Sequence, residues 1–186
     1  MLGPIALGVR AFQFLFAVVV LGLSVTLLKA QKYGNSPVTT RYSVFTGAFG
    51  MIVAAVGAVG IFFEALPALV PMALDALAGI LLAAGGIAWA IGLKGISCKL
   101  EDSEKMLKNA LLNGGCVKAK DGSQYCGVAD GAKDVMDVAN NLKATCQKAF
   151  VGEIFQFLAF ALAAILIALG WFIRRRGGSS KPRFVT

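Results

Sequence analysis

The sequence predicts an all-α membrane protein: a four-transmembrane-helix antiparallel bundle with a disulfide-stapled extracellular loop that contains short helices. Three observations predict it. Of the 186 residues, 58% are apolar and only 15% charged, against about 45–50% and about 25% in an ordinary soluble domain. The apolar residues, with a mean hydropathy of +0.75, are gathered into four runs, each able to cross a hydrocarbon core that needs about 20 helical residues. All four cysteines lie between the third run and the fourth. A soluble domain, which hides its apolar side chains behind a charged exterior, is excluded.

The first span covers about residues 5–28 and the second about 44–63, joined by a short polar loop containing Pro37. The first reads as a retained span rather than a cleaved signal peptide, because its apolar stretch is too long and no small-residue cleavage pattern follows. The third span covers about 69–93, after a tight hinge around Glu64–Pro71, and the fourth about 150–173. These spans and the loop 94–149 form one domain, 1–173; the basic segment 174–186, rich in Gly and Ser, is expected to be a flexible cytosolic tail.

Four spans place both termini on one side. Lysine and arginine do not choose which side: Arg10 and five basic residues of the tail face seven on the opposite side. The cysteines choose, since an even set confined to one loop suits an oxidising exterior. Both termini are therefore expected in the cytosol, with Arg174, Arg175 and Arg176 as the stop after span four. Those arginines would also meet anionic headgroups, at about 1 kcal/mol per basic residue.

The large loop reads as folded. Leu100, Leu107 and Leu111 keep helical spacing, Glu101–Lys105 and Glu104–Lys108 are opposite charges four apart, and Asn113-Gly114 is a stop signal. A second amphipathic segment carries Val135, Val138, Ala139, Leu142 and Cys146 and runs into span four. Lys120-Asp121-Gly122 has turn chemistry between them. Four cysteines allow three pairings. Cys98 and Cys146 flank the sequential, antiparallel spans three and four, which favours their pairing and leaves Cys116–Cys126 to close a small loop, for about 3 kcal/mol. Without Cys-x-x-Cys spacing, both read as structural staples. Asn35-Ser36 is followed by Pro37 and is not a glycosylation sequon.

Charges at membrane depth need named partners. Arg10, Gln13, Glu64 and Asp75 all fall in the cytosolic leaflet of an up-down bundle and are expected to form one polar network, with Lys29 and Glu153 as an outer-leaflet pair. Polar groups near the bilayer edges, with an apolar midplane, suit helix packing better than a transport path. Gly50, Ala54, Gly57 and Ala58 in span two, and Gly79 and Ala83 in span three, offer small faces for close helix approach and for self-association. Trp89 and Trp171 read as interfacial anchors. With no histidine, and no clustered nucleophile and base or phosphate loop, an enzyme is not expected, nor a metal, a cofactor or a nucleic-acid partner.

Arg10-Ala-Phe-Gln13 leading into Phe16-Ala-Val-Val-Val-Leu-Gly-Leu-Ser24 resembles the opening span of fungal MARVEL-domain proteins. Asp75-Ala-Leu-Ala78 with its small-residue run to Trp89, and Cys146-Gln-Lys-Ala149 before span four, are similar to that family too. Within it the non-classical export protein 2 family is nearest in size and layout, although the loop with its two cysteine pairs departs from that pattern. The resemblance implies a non-enzymatic plasma-membrane protein of sterol- and sphingolipid-rich, eisosome-type domains. Its expected partners are lipids, further copies of itself and other membrane or eisosome proteins, with a sterol or sphingolipid as the one bound molecule. Claudins and tetraspanins fit poorly, for lack of paired cysteines in the first loop and of a Cys-Cys-Gly motif in the large one. A small transporter or channel using Arg10, Glu64 and Asp75 is the alternative.

Overall fold

The computed structural model describes residues 2–62, 69–120 and 122–176. Four long helices build it: α1 (Leu2–Ala30), α2 (Val38–Phe62), α3 (Leu69–Gly92) and α5 (Val135–Arg176), with a short α4 (Ser103–Lys108) in the large loop. All four long helices have the length and composition to cross a bilayer. A backbone in hydrocarbon must satisfy its own hydrogen bonds, which is why runs of this length become helices.

α1 packs along α2 and α5, and α3 along α5 and α2. The ring order is α1–α2–α3–α5, every neighbour antiparallel, so α1 faces α3 and α2 faces α5 across the diagonals. The contact surfaces are built from small residues. Ala17, Ala54, Ala78, Ala159 and Ala163 are buried, while Phe12, Leu15, Ile52, Ile80, Ile87 and Ile154 are exposed on the outside where lipid lies. Gly50 abuts Ala17 and Leu82, and Gly79 abuts Ala163 and Phe160. The small faces of α2 and α3 are thus used inside the bundle.

Two helices outrun their apolar runs. α2 begins at Val38 rather than near 44, since Val38-Thr-Thr-Arg-Tyr-Ser contains no breaker and Arg41 N–H already donates to Pro37 O at 3.2 Å. α5 has 42 residues, about 63 Å at 1.5 Å per residue. The amphipathic segment and span four are one rod, whose first turns stand clear of the apolar zone.

The loop after α3 folds as a cap. A 3₁₀ turn (Leu100–Asp102) leads into α4, which stops at Lys108 rather than continuing through Leu111. Asn109 ends it: its backbone is extended, its side-chain N–H donates to Gly92 O at 2.8 Å, and its Oδ1 accepts from Leu111 N–H at 2.8 Å. The 3₁₀ turn changes one charge pair, because three residues per turn bring Asp102 rather than Glu101 beside Lys105. Lys105 Nζ donates to Asp102 at 2.8 Å, while Lys108 meets Glu104 as expected, at 2.6 Å. Lys105, with the Ser97 hydroxyl also donating, holds the half-buried Asp102 carboxyl below its ordinary range.

A two-stranded antiparallel hairpin follows, β1 (Cys116–Lys118) with β2 (Gln124–Cys126), Cys116 opposite Cys126. The sequence reading gave only its turn; three-residue strands carry too little alternation to be recognised. Cys98 is bonded to Cys146 and Cys116 to Cys126. Met106, Leu112, Val128, Leu142 and Cys146 join Leu27, Trp89 and Leu93 in one apolar cluster, so cap and bundle share a core. The α1–α2 connection is woven in, with Lys32 and Tyr33 N–H donating to Gly114 O at 2.8 and 3.3 Å and Lys32 paired with Asp130 at 3.5 Å. Gly115 sits at this seam with φ +80°, where a Cβ would strike Tyr33 O.

Gly115→Ala should therefore destabilise the cap by more than the about 1–2 kcal/mol of the backbone conformation alone, seen as a lower melting temperature in detergent. Replacing Cys98 and Cys146 by Ser opens a loop with sequence separation 48, and chain entropy gives an expected loss of about 4 kcal/mol. Reductant opens Cys116–Cys126 as well, so it should lower the wild type by more than the double substitution does, and lower the double variant only by the smaller share of that second bond.

Candidate functional site

Polar side chains inside the bundle form two junctions, one at each end. On the terminus side, Arg10 Nη1 and Nη2 donate to Asp75 Oδ1 and Oδ2 at 2.5 and 2.6 Å. Gln13 completes the junction, its Oε1 accepting from Arg10 at 3.0 Å and its Nε2 donating to Asp75 at 3.3 Å. Arg10, Gln13 and Asp75 are 6%, 1% and 1% exposed. The bidentate geometry is the strong form of an arginine–carboxylate pair, and burial in hydrocarbon makes each charge depend on the other. Asp75 lies six residues into α3, about 9 Å at helical rise.

This pair spans the α1–α3 diagonal, and α2 makes room for it. The guanidinium of Arg10 occupies the space a side chain at position 57 would need, so Gly57 serves the ion pair rather than a helix-dimer motif. Ala54 and Ala58, with Leu7, Ala11, Phe14, Leu15 and Arg10, line a cleft of about 500 Å³ between α1 and α2. Ala83 is half-buried on α3. Glu64, expected in this network, lies outside the described residues.

On the loop side the second junction joins the other diagonal. Ser43 Oγ on α2 accepts from Trp89 Nε1 on α3 at 2.6 Å and from Gln156 Nε2 on α5 at 3.0 Å. Ser43 and Gln156 are fully enclosed, and Tyr42 O–H donates to Leu81 O at 3.1 Å beside them. Here α3 yields space at Gly85, whose Cβ would collide with Gln156 Oε1. Sequence reasoning missed this junction because it followed charges; a glutamine inside span four, level with a serine early in α2, was the available signal. Trp89, 1% exposed, is no interfacial anchor: its indole N–H finds a partner inside the bundle, as a buried tryptophan must. Trp171, by contrast, is exposed, with Arg175 over its ring at 5.1 Å. The side chains of Arg174 and Arg176 and the tail from 177 onward lie outside the described residues.

The expected pair of Lys29 with Glu153 does not form. The side of α5 facing α3 carries Cys146, Phe150, Glu153, Phe157 and Phe160, spaced by three and four residues. Cys146 is bonded to Cys98 just past α3, Phe157 rests on Gly86 and Phe160 on Gly79. α1 meets a different side of α5, where Phe155 packs edge-on against Phe16 at 5.1 Å. Glu153 therefore looks toward α3, and Lys29, at the end of α1, is exposed.

A ring of four membrane-length helices, cross-braced by buried polar junctions and capped by a disulfide-bonded loop, defines a multi-pass membrane protein with an apolar exterior. Residues 3–169 match the model of the MARVEL family, a membrane-associating domain. The chain belongs to the MARVEL family. No curated protein matches the chain, and no solved structure does. MARVEL is a membrane-associating family linked to membrane apposition and lipid domains, not an enzyme family.

Removing one member of the terminus-side pair leaves the other charge buried and unpaired, and Asp75→Ala should lose about 3–5 kcal/mol. The double variant Arg10→Leu/Asp75→Leu removes both charges and should recover most of that loss. Denaturant unfolding in micelles, followed by tryptophan fluorescence, separates the two.

Proposed function

We propose that this protein is a non-enzymatic organiser of lateral domains in the plasma membrane, of the eisosome type, acting through self-association and through packing with sterol or sphingolipid. In this reading both termini are cytosolic and the cap is extracellular, where its two disulfides persist. The nearest subfamily is that of the fungal non-classical export protein 2, with lipids and other membrane proteins as partners. Arg174, Arg175 and Arg176 meet inner-leaflet headgroups.

The observation that carries the reading is how the polar groups are spent. Arg10, Gln13 and Asp75 close on one another, and Ser43 joins Trp89 to Gln156. Those contacts hold helices together, while the outward faces remain apolar and irregular. The α1–α2 cleft, floored by alanines and walled by Phe14 and Leu15, offers a flat apolar seat for a rigid lipid.

The native mass of the protein, extracted with its own lipid in a polymer nanodisc, tests this. A discrete multiple of 19.4 kDa carrying sterol or sphingolipid is expected. A lone monomer at every lipid composition overturns the reading. Solute flux in liposomes that Asp75→Asn abolishes while the fold survives would favour the transporter in its place.

A further inference from the structure

Two buried side-chain polar atoms lack a hydrogen-bond partner among the described residues, Glu153 Oε2 and Gln156 Oε1. They belong to residues one turn apart on α5, and both are acceptors. Gln156 Oε1 is shut inside the bundle against Gly85, whereas Glu153 is only half-buried. Buried polar atoms in folded proteins are nearly always paired, so the reachable orphan, Glu153 Oε2, describes what is missing. The missing group is a donor.

The surroundings supply neither that donor nor a countercharge. Glu153 faces α3, whose nearest stretch offers glycines and Trp89, and the Trp89 indole N–H is already given to Ser43. Between Asp75 and Lys94, α3 has no charged residue. Lys29, Lys94 and Lys148, at this end of the bundle, are exposed, and none pairs with Glu153. Phe157 rests on Gly86; four residues back along the antiparallel α5, Glu153 is level with about Ala90, near the loop-side end of α3. That is headgroup depth. Glu153 is half-buried there, and Ile87 and Ile91 on the nearby turns of α3 and Ile154 beside it in α5 are exposed.

We propose that Glu153 is the acceptor for a primary ammonium group, supplied by an aminophospholipid of the loop-side leaflet. Three features select that chemistry. The carboxylate calls for a cation, its unpaired oxygen calls for an N–H donor, and the apolar flanks suit acyl chains below the headgroup. A primary ammonium carries three N–H donors on one positive charge. A lipid hydroxyl brings one donor and no charge, and a trimethylammonium headgroup brings the charge with no donor. The site is separate from the α1–α2 cleft and does not depend on lateral organisation.

The test uses the full-length protein in nanodiscs of equimolar phosphatidylethanolamine and phosphatidylcholine with identical acyl chains. Native mass spectrometry then counts the lipids that stay bound. The wild type should retain phosphatidylethanolamine over phosphatidylcholine by about tenfold, a difference readily resolved in a binding equilibrium. Glu153→Gln, which keeps the size of the side chain and removes its charge, should abolish the preference while melting at an unchanged or higher temperature. Should that variant fail to fold, competition in the wild type replaces it: dissolved methylammonium should displace phosphatidylethanolamine only at high excess. Equal retention of the two lipids overturns the proposal and leaves water or a metal ion as the occupant. So does a preference that survives Glu153→Gln, or displacement at trace methylammonium, which would make the ligand a soluble amine.

Discussion

Inside a bilayer a polar side chain has no water to fall back on, and the architecture follows from meeting that condition twice. Neighbouring helices in the ring associate through small-residue faces, which apolar packing alone can hold but cannot align. The diagonals have no such faces in contact. Arg10 reaches across to Asp75 on one diagonal, and Gln156 reaches Ser43 on the other. The two braces stand at opposite ends of the bundle and cross each other in projection. Together they fix which helices face each other and at what height, because sliding any one helix by a turn would strand a buried charge or amide.

Space for the braces comes from glycine rather than from spreading the helices. Gly57 gives the guanidinium its place, and Gly85 gives the Gln156 amide its own. The glycines of α2 and α3 are used inside the bundle, Gly57 and Gly85 for the polar contacts and Gly50 and Gly79 for apolar packing. Surfaces left for association are consequently the apolar outer faces and the α1–α2 cleft, whose shape is set by Ala54 and Ala58 beside a fixed arginine.

The cap extends the same logic beyond the apolar zone. Its core is continuous with the bundle through Leu27, Trp89 and Leu93, and the Cys98–Cys146 bond ties the end of α3 to the projecting part of α5. Trp89 belongs to both systems, with its ring in the cap core and its N–H in the loop-side brace. The orphan acceptor of Glu153 lies on the same stretch of α5.

The sequence by itself determined the number of spans, their antiparallel order, the partition of cysteines and the common depth of Arg10, Gln13 and Asp75; that Arg10 takes Asp75 came from the structure. Long apolar runs settle into helices in hydrocarbon, and opposite charges set well inside their spans, away from water, are driven to pair. Asp75 and Arg10 were legible for that reason. What the tertiary structure alone decided depends on rotation of a helix about its axis, which a mostly apolar span leaves almost unmarked. Depth put Lys29 level with Glu153, yet rotation turned Glu153 toward α3. Rotation likewise carried Trp89 from the lipid face to the interior, and brought Ser43 and Gln156, 113 residues apart, into one hydrogen-bonded junction. Depth is written along one helix; azimuth is settled only when all four pack.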